Sequence, residues 1–165
     1  MDAEKLERRL VEIIEAQGIP ANPFPANPKD YFPEADPGEV LVRYEGRKPV
    51  KRDISGVVVS LELYVEIVFV SRQLRGENGL YSWLEIINRQ FEGFTLPEAG
   101  GAMEMTGEGY ADEQNGTWQF SQKWKLTECR EYEQRDDYAD LPLGIPRPAG
   151  ERPGQYPDNS ADGTR

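Results

Sequence analysis

The segment 57–70, with the sequence VVVSLELYVEIVFV, alternates apolar and polar residues over fourteen positions. One set of alternate positions is apolar throughout and consists of Val57, Val59, Leu61, Leu63, Val65, Ile67 and Phe69. The other set includes Ser60, Glu62, Tyr64 and Glu66. Because successive side chains of a strand point to opposite faces of a sheet, the pattern predicts a long, half-buried antiparallel strand at the centre of a small sheet. At about 3.3 Å per residue it would span roughly 46 Å, which is long for one small monomer to cover. We therefore expect the strand to bend, or to place residues 57–60 against another subunit.

Shorter patterns on either side of this strand predict two helices and three further strands. The helices are predicted at Asp2–Gln17 and Asn78–Glu92, and the strands at Glu39–Tyr44, Ala102–Ala111 and Thr117–Tyr132. Asn115-Gly116 separates the last two strands, and this dipeptide favours the tight turn of a hairpin. The predicted fold class is α+β, with a small, mostly antiparallel sheet of about four strands and two helices packed on one face.

Single residues refine these predicted elements. Gly18 stands where a left-handed cap would end the first helix, and Asn78 or Glu77 can cap the start of the second. Gln122 interrupts an otherwise apolar face of the last strand. We expect it to mark a place where the edge of the sheet meets solvent or a partner.

Composition divides the chain into a domain at 1–133 and a tail at 134–165. Within the domain, a proline-rich link at 19–37 carries Phe24, Tyr31 and Phe32. These aromatic side chains either anchor a partner or cover the chain's own core, and the sequence favours the second interpretation. The tail, rich in proline, glycine and aspartate, cannot bury enough apolar surface to order itself, so we expect it to be flexible. Its apolar segment LPLGIP, at 141–146, is available to lie across a neighbour in an assembly.

The charge balance limits the classes of function open to the chain. Its 165 residues carry a formal net charge of −11, with no histidine and one cysteine. An acidic chain binds phosphates poorly, because that contact depends on Lys and Arg. A single cysteine excludes an intramolecular disulfide framework and favours a reducing compartment. No apolar run is long enough for a transmembrane helix and the charged N-terminus does not resemble a signal peptide, so we expect no membrane contact.

Recognisable catalytic and metal-binding patterns are missing from the sequence. Without histidine there is no His-based acid, base or metal ligand. Cys129 therefore lacks an imidazole partner and is interpreted as a structural thiol. Glu62 and Glu66 form no glycosidase pair, and the aspartates at 136, 137 and 140 are interpreted as a solvated tail rather than a cation site. We expect no enzyme activity, no cofactor and no metal.

The candidate functional residues are all interaction residues. A connection predicted at 45–56 holds four basic residues within six positions, Arg47, Lys48, Lys51 and Arg52. Such a basic tip on an acidic chain can pair with an acidic neighbour, although an ordinary solvated loop has the same composition. The full predicted interface adds Val57, Val59, Arg72, Arg75, Leu141, Leu143 and Ile145.

Three stretches carry a resemblance to a known family. They are the helical pattern at 6–14, GEVLVRYEG at 38–46, and VEIVFVSRQLRG at 65–76, which continues through GLYSWL at 79–84 to FEGF at 91–94. The most distinctive part is a strand that ends in Arg72-x-Leu74-x-Gly76-x-x-Gly79, and WQF at 118–120 matches a closing strand. In these features, over roughly residues 6–132, the chain resembles the Gp37-like tail proteins of Mu-type contractile-tailed phages. The tail after Glu133 is not part of the pattern.

The resemblance implies a virion protein of the tail and neck, assembled in the host cytoplasm. Tail terminators of this kind look like small α/β subunits that form a ring, usually a homohexamer, on the end of the tail tube. The ring stops tube and sheath polymerisation and provides the face that joins the head. The implied partners are other copies of the chain, tail tube and sheath proteins, and head–tail connector proteins. DNA would pass through the lumen without specific binding.

Two other functions stay open at this point. Within phage structure, the chain could be a neck connector or a tail-completion protein. From a different class, it could be a small acidic binding module, such as an immunity protein or a DNA mimic. Such a module would concentrate its acidity on one face and match a basic partner.

Overall fold

The computed structural model describes residues 2–27, 31–52, 58–97, 100–114 and 116–131, with side chains except at 51–52, 58–59 and 129–131. All of these residues belong to one compact unit, Met1–Glu133. The elements in chain order are α1 (Ala3–Glu15), β1 (Ala21–Pro23), β2 (Gly38–Arg52), β3 (Val58–Ser71), α2 (Leu80–Phe91), β4 (Gly100–Gln114) and β5 (Thr117–Glu131). The domain and tail boundaries predicted at 133/134 stay a prediction, since the tail lies outside the described residues.

The strands form one mixed, five-stranded sheet in the order β1-β2-β3-β5-β4. β1 pairs with β2 in parallel, and the other three pairings are antiparallel. The α+β class is therefore confirmed, but the prediction of about four strands is wrong. The missed strand is β1, which lies inside the predicted proline-rich link. Its Pro23 is tolerated because β1 is an edge strand, where a residue without a backbone donor does little harm.

β3 is the central strand of the sheet, as the alternation predicts. It pairs with β2 on one side and β5 on the other, from Val58 opposite Glu131 to Ser71 opposite Trp118. β2, β3 and β5 have 15, 14 and 15 residues, so the neighbours match the length of the central strand. From the sequence, this strand is expected to be too long for one small monomer to cover. For the backbone pairing of the strand, that expectation is wrong.

β2 runs further than the predicted strand Glu39–Tyr44, and the connection predicted at 45–56 is wrong up to Arg52. A β-bulge lies between Tyr44 and Gly46, and pairing with β3 then continues to Arg52 opposite Val59. Gly46 has φ 141°, a backbone conformation that other residues rarely adopt. Pairing with β3 thus makes a segment with turn-like composition part of the sheet. The four basic residues consequently belong to a strand.

Both helices pack against the same face of the sheet. The buried residues of α1 are Leu6, Leu10, Val11 and Ile14, and those of α2 are Leu80, Trp83, Leu84, Ile87 and Phe91. They form one cluster with alternate residues of the strands, among them Val42, Leu63, Val65, Ile67, Phe69, Trp124 and Leu126. Burying each large apolar side chain contributes about 1.5–3 kcal/mol, so this face supplies most of the stability of the fold.

The single-residue expectations have mixed outcomes. Gly18 has φ 77°, as a left-handed helix cap requires, and Gly116 in the hairpin turn has φ 76°. The expected side-chain cap on the second helix is wrong, because Gly79 is the N-cap and no side chain bonds there. Gln122 does not mark an exposed edge either, since it is fully buried. Its Nε2 donates to Leu84 O at 3.2 Å and its Oε1 accepts from the Trp124 indole at 3.3 Å.

Candidate interaction surfaces

The face of the sheet opposite the helices, called here the helix-free face, carries a network of ion pairs. Arg43 pairs with Glu66 and, at 3.4 Å, with Glu45, which also pairs with Lys123 at 3.6 Å. Lys125 pairs with Glu62 at 3.4 Å and with Glu104 at 3.1 Å. The register places Arg43 opposite Glu66 and Glu66 opposite Lys123, and Glu62 lies two positions from Tyr64 on the same strand. Side chains at such positions point to the same face of a sheet. The network is called the ion-pair patch below.

Hydrogen bonds in the ion-pair patch move the pKa values of Glu62, Tyr64 and Lys125 further from neutral pH. The Tyr64 hydroxyl donates to Glu62 at 2.6 Å, and this bond keeps the pKa of the Glu62 carboxyl below its ordinary value. The same bond raises the pKa of the Tyr64 hydroxyl. Hydrogen bonds to Glu104 and then Glu62 raise the pKa of the Lys125 ammonium. Each of these three shifts extends the pH range over which the group keeps its neutral-pH protonation state.

The other half of the helix-free face is covered by the proline-rich link. The buried Glu39, only 1% exposed, organises this cover. Its carboxylate accepts hydrogen bonds from Asn22 Nδ2 at 2.6 Å, from the Tyr31 hydroxyl, and from the Glu34 backbone N–H at 3.1 Å. Burial, followed by the bond to Glu39, raises the pKa of the Tyr31 hydroxyl, so that hydroxyl stays a donor. A charged residue in β2 thus fixes a segment whose composition suggests a loose linker.

The aromatic side chains of the proline-rich link differ in their exposure to solvent. Phe24 and Tyr31 line a pocket of about 400 Å³ over Leu41 and Val68 of the sheet, and the Arg43 guanidinium lies 5.1 Å from the centre of the Phe24 ring. Phe32 also borders this pocket but stays 70% exposed. Phe24 and Tyr31 therefore act mainly as a cover for the chain's own sheet, and Phe32 is the aromatic side chain that a partner can reach.

The hinge between β3 and α2 owes its pattern to backbone geometry. Gly76 has φ 100°, and a Cβ on Gly79 would lie 2.5 Å from the backbone of Arg75. The N–H groups of Leu80 and Tyr81 donate to Gln73 O at 2.9 Å and Leu74 O at 3.1 Å. The Gly-x-x-Gly part of this pattern is thus what a tight entry into α2 requires.

The predicted interface residues that the structure describes lie at both ends of β3. Arg47 and Lys48 are exposed on β2 near the start of β3. Arg72 and Arg75 are exposed beyond the other end of β3, where Arg72 pairs with Asp36 at 3.6 Å. Lys51, Arg52 and Val59 lie on strands at the first of these ends. Val57, Leu141, Leu143 and Ile145 lie outside the described residues.

The strand β4 is predicted from the sequence at Ala102–Ala111, but its position as an acidic edge of the sheet is not. β4 carries Glu104, Glu108, Asp112 and Glu113 and no basic residue. Segment 93–95 flanks its first half through backbone hydrogen bonds to Met103, but among the described residues nothing pairs with its outer side beyond Met105. The run of acidic residues in 100–114 is visible in the sequence, but only the topology shows that it forms an edge of the sheet.

The described residues offer no metal site and no membrane span. Within 2–27, 31–52, 58–97, 100–114 and 116–131, no group of three or more His, Cys, Asp or Glu residues is placed to hold a metal ion. No helix in that part of the chain is both long and apolar enough to cross a membrane. Cys129 lies on β5, and the aspartates of the tail lie outside the described residues.

The fold and these surfaces define a small α+β protein with a five-stranded mixed sheet, helices on one face, and charged sheet edges. The family model described as Gp37 protein matches residues 12–137, and the chain belongs to this family. The resemblance stated above is thereby confirmed at the level of the family, which supports a phage protein. No curated protein matches the chain.

Proposed function

We propose that the protein is a phage tail terminator, a virion protein of the tail and neck that is assembled in the host cytoplasm. Copies of the chain would form a ring, with six as the expected number, on the end of the tail tube. The observation that carries the proposal is the Gp37 family match over residues 12–137. The Arg72-to-Gly79 hinge and the strand before it, where the resemblance to tail terminators is strongest, lie inside that match.

The proposed mechanism is occupancy of a growing surface. A polymer such as the tail tube extends because each new ring presents the surface that the next ring binds. A terminator ring binds that surface on one side and presents a different surface on the other. Tube and sheath growth then stops, and the head connector binds the new surface. This mechanism needs shape and charge but no chemical step, so the proposed function is structural rather than enzymatic.

The ion-pair patch supports a lumen through which DNA can slide. The lysines and arginine of the patch are already paired with carboxylates: Arg43 with Glu66, Lys123 with Glu45, and Lys125 with Glu62. DNA affinity depends on cations that replace the counterions of phosphate, and paired cations do this poorly. The net charge of −11 adds a general repulsion. A ring that turned the helix-free face toward its lumen would therefore not retain DNA.

Deleting the gene from the phage tests the proposed function. We expect tails of uncontrolled length that do not join heads, seen by electron microscopy of lysates, with normal tails restored when the gene is supplied from a plasmid. Tails of normal length that lack only the head junction would replace this proposal with a neck connector or tail-completion protein.

The acidic binding module makes an opposite prediction about partners. A purified, tagged chain incubated with infected-cell lysate should retain tail tube, sheath or connector proteins if it is a terminator. Retention of a basic toxin or nuclease, with tail proteins left unbound, would favour the binding module instead.

A further inference from the structure

The sheet has two edges that no described segment covers, and they carry opposite charges. In β2, residues 46–52 include Arg47, Lys48, Lys51 and Arg52 and no acidic residue, and this segment is called the basic edge. In β4, residues 104–114 include Glu104, Glu108, Asp112 and Glu113 and no basic residue, and this segment is called the acidic edge. Among the described residues, β1 pairs with β2 only at 40–42, and segment 93–95 bonds β4 only near Met103. One outer strand segment of the sheet thus carries four basic residues, and the other carries four acidic residues.

Each edge also exposes a large apolar side chain. Val50 on the basic edge is 59% exposed, and Tyr110 on the acidic edge is 56% exposed. Open strand edges present unpaired backbone donors and acceptors, and natural proteins that keep them free use charges to prevent pairing between identical edges. Like charges along each edge do prevent self-pairing here. They do not prevent pairing between the two different edges.

We propose that the basic edge of one copy pairs with the acidic edge of the next copy, and that this contact builds the ring. The inference rests on the proposed terminator function and assigns the residues that would form its subunit contact. A chain with a net charge of −11 repels a second copy over most of its surface. The basic edge is the place where an acidic neighbour is attracted, which selects a head-to-tail contact over a symmetric one.

Strand direction fits this contact. Along the sheet, β2, β3, β5 and β4 alternate in direction, since each neighbouring pair is antiparallel. Placing β4 of one copy beside β2 of the next continues the alternation without a break. The helices of both copies then lie on the same side of one continuous sheet, as a ring of identical subunits requires.

The two edges lie at diagonally opposite corners of the sheet, which sets the tilt of the strands. Lys48 on the basic edge lies opposite Glu62 of β3. Tyr110 on the acidic edge lies opposite Phe120 of β5, which in turn lies opposite Phe69 of β3. Along the strand direction, the centres of the two edges are therefore offset by the distance from residue 62 to residue 69 of β3. At about 3.3 Å per residue this offset along the strands is roughly 23 Å. Across the strands, β2 of one copy and β2 of the next are separated by four strand spacings of about 4.8 Å each. Strands would incline by roughly 50° to the ring axis, near the about 35–45° of closed barrels.

Charge reversal on each edge of the full chain tests the proposal. The basic-edge variant combines Arg47→Glu and Lys48→Glu, and the acidic-edge variant combines Asp112→Lys and Glu113→Lys. Sedimentation velocity over a range of protein concentrations reports association. Each variant should need at least about tenfold more protein than the wild type to associate, because like charges now meet at the contact. An equal mixture of the two variants should associate at the wild-type concentration, since each reversed edge finds a reversed partner.

A matched control separates this contact from a general effect of charge. Lys5→Glu with Arg8→Glu makes the same charge change as the basic-edge variant, but on exposed positions of α1. It should associate like the wild type, within about twofold, at low salt. Thermal melting of every variant checks that the fold is intact. Raising the salt concentration should weaken wild-type association, because exposed charges are screened.

Three outcomes would overturn the edge contact: a wild-type chain that stays monomeric at every attainable concentration, edge variants that associate like the wild type, or a mixture that does not recover. These outcomes are separate from the gene deletion. A ring unaffected by edge reversal removes the edge contact and leaves the terminator function in place. Normal tails from the deletion phage remove the terminator function and leave the edge contact, which is measured on purified protein, standing.

Discussion

The two faces of the central strand β3 are stabilised in different ways. Toward the helices it presents Leu63, Val65, Ile67 and Phe69, all buried in the single apolar cluster. Toward the helix-free face it presents Glu62, Tyr64 and Glu66 in the ion-pair patch, followed by the sheet half beneath the proline-rich link. Burial of apolar surface is non-directional and large, whereas exposed ion pairs contribute little. The first face therefore specifies the fold, and the second is free to carry charge for contact with other molecules.

The largest expected effect comes from opening a cavity on the helix-covered face. Trp124 is fully buried, and its ring lies edge-on to Phe91 with centroids 5.8 Å apart. Trp124→Ala should lower the free energy of unfolding by about 3–5 kcal/mol, measured by chemical denaturation. The control is Trp118→Ala, on the same strand and face but only half-buried. If both variants lose the same stability, the contrast between covered and open parts of that face is wrong.

A smaller effect is expected from the hydrogen bond that holds the proline-rich link. Tyr31→Phe leaves the buried Glu39 with one donor fewer and should cost about 1–3 kcal/mol of unfolding free energy. Phe32→Leu, at the neighbouring exposed position, should change it by less than about 0.5 kcal/mol. Equal losses in the two variants would contradict the assignment of Tyr31 as the residue that anchors the link.

The contribution of Tyr31 should also depend on pH in a definite direction. Its folded-state pKa is raised above the ordinary value of about 10, so its hydrogen bond stabilises the folded chain fully below that pH. As pH rises above about 10, the unfolded tyrosine ionises first and the stabilisation declines. The stability difference between wild type and Tyr31→Phe should therefore be constant from about pH 7 to 9 and shrink above about 10. A difference that grows with alkaline pH would contradict the bond.

The smallest effect is expected in the ion-pair patch. Lys125→Gln removes the cation shared by Glu62 and Glu104, yet all three side chains are accessible to water. We expect the thermal midpoint of this variant to change little. Other cations should then bind more tightly to the carboxylates of the patch. A loss of stability comparable to that of Tyr31→Phe would show that the patch is structural after all. Thermal melting of the two variants side by side decides this.

Local periodicity was enough to predict the central strand, both helices and the hairpin. The alternation in 57–70 and the helical spacing of Leu6, Leu10 and Ile14 depend only on near neighbours in sequence. The hairpin at Asn115-Gly116 is encoded by the turn itself. These elements are present close to their predicted positions.

The errors all involve partners that are distant in sequence. The local pattern ends β2 too early because the continuation of this strand depends on β3. The composition around β1 predicts a link because Pro23 is tolerated in a strand only at an edge of the sheet. The sequence does not predict the burial of Gln122 because its partners, Leu84 O and Glu108, come from other elements. The acidic edge is not predicted for the same reason, since its charges are local but its position beyond β5 is not.

The pairing of β3 with β5 has a consequence for synthesis of the chain on the ribosome. The hairpin of β2 and β3 can form as soon as Ser71 has emerged, but the other side of β3 waits for Thr117–Glu131. Until then a long apolar strand has an open edge, which is the kind of surface that misassembles with other nascent chains. Folding should be limited by this late closure, because contacts between distant segments form slowly. The chain is therefore most vulnerable to aggregation shortly before β5, the last of the described strands, is made.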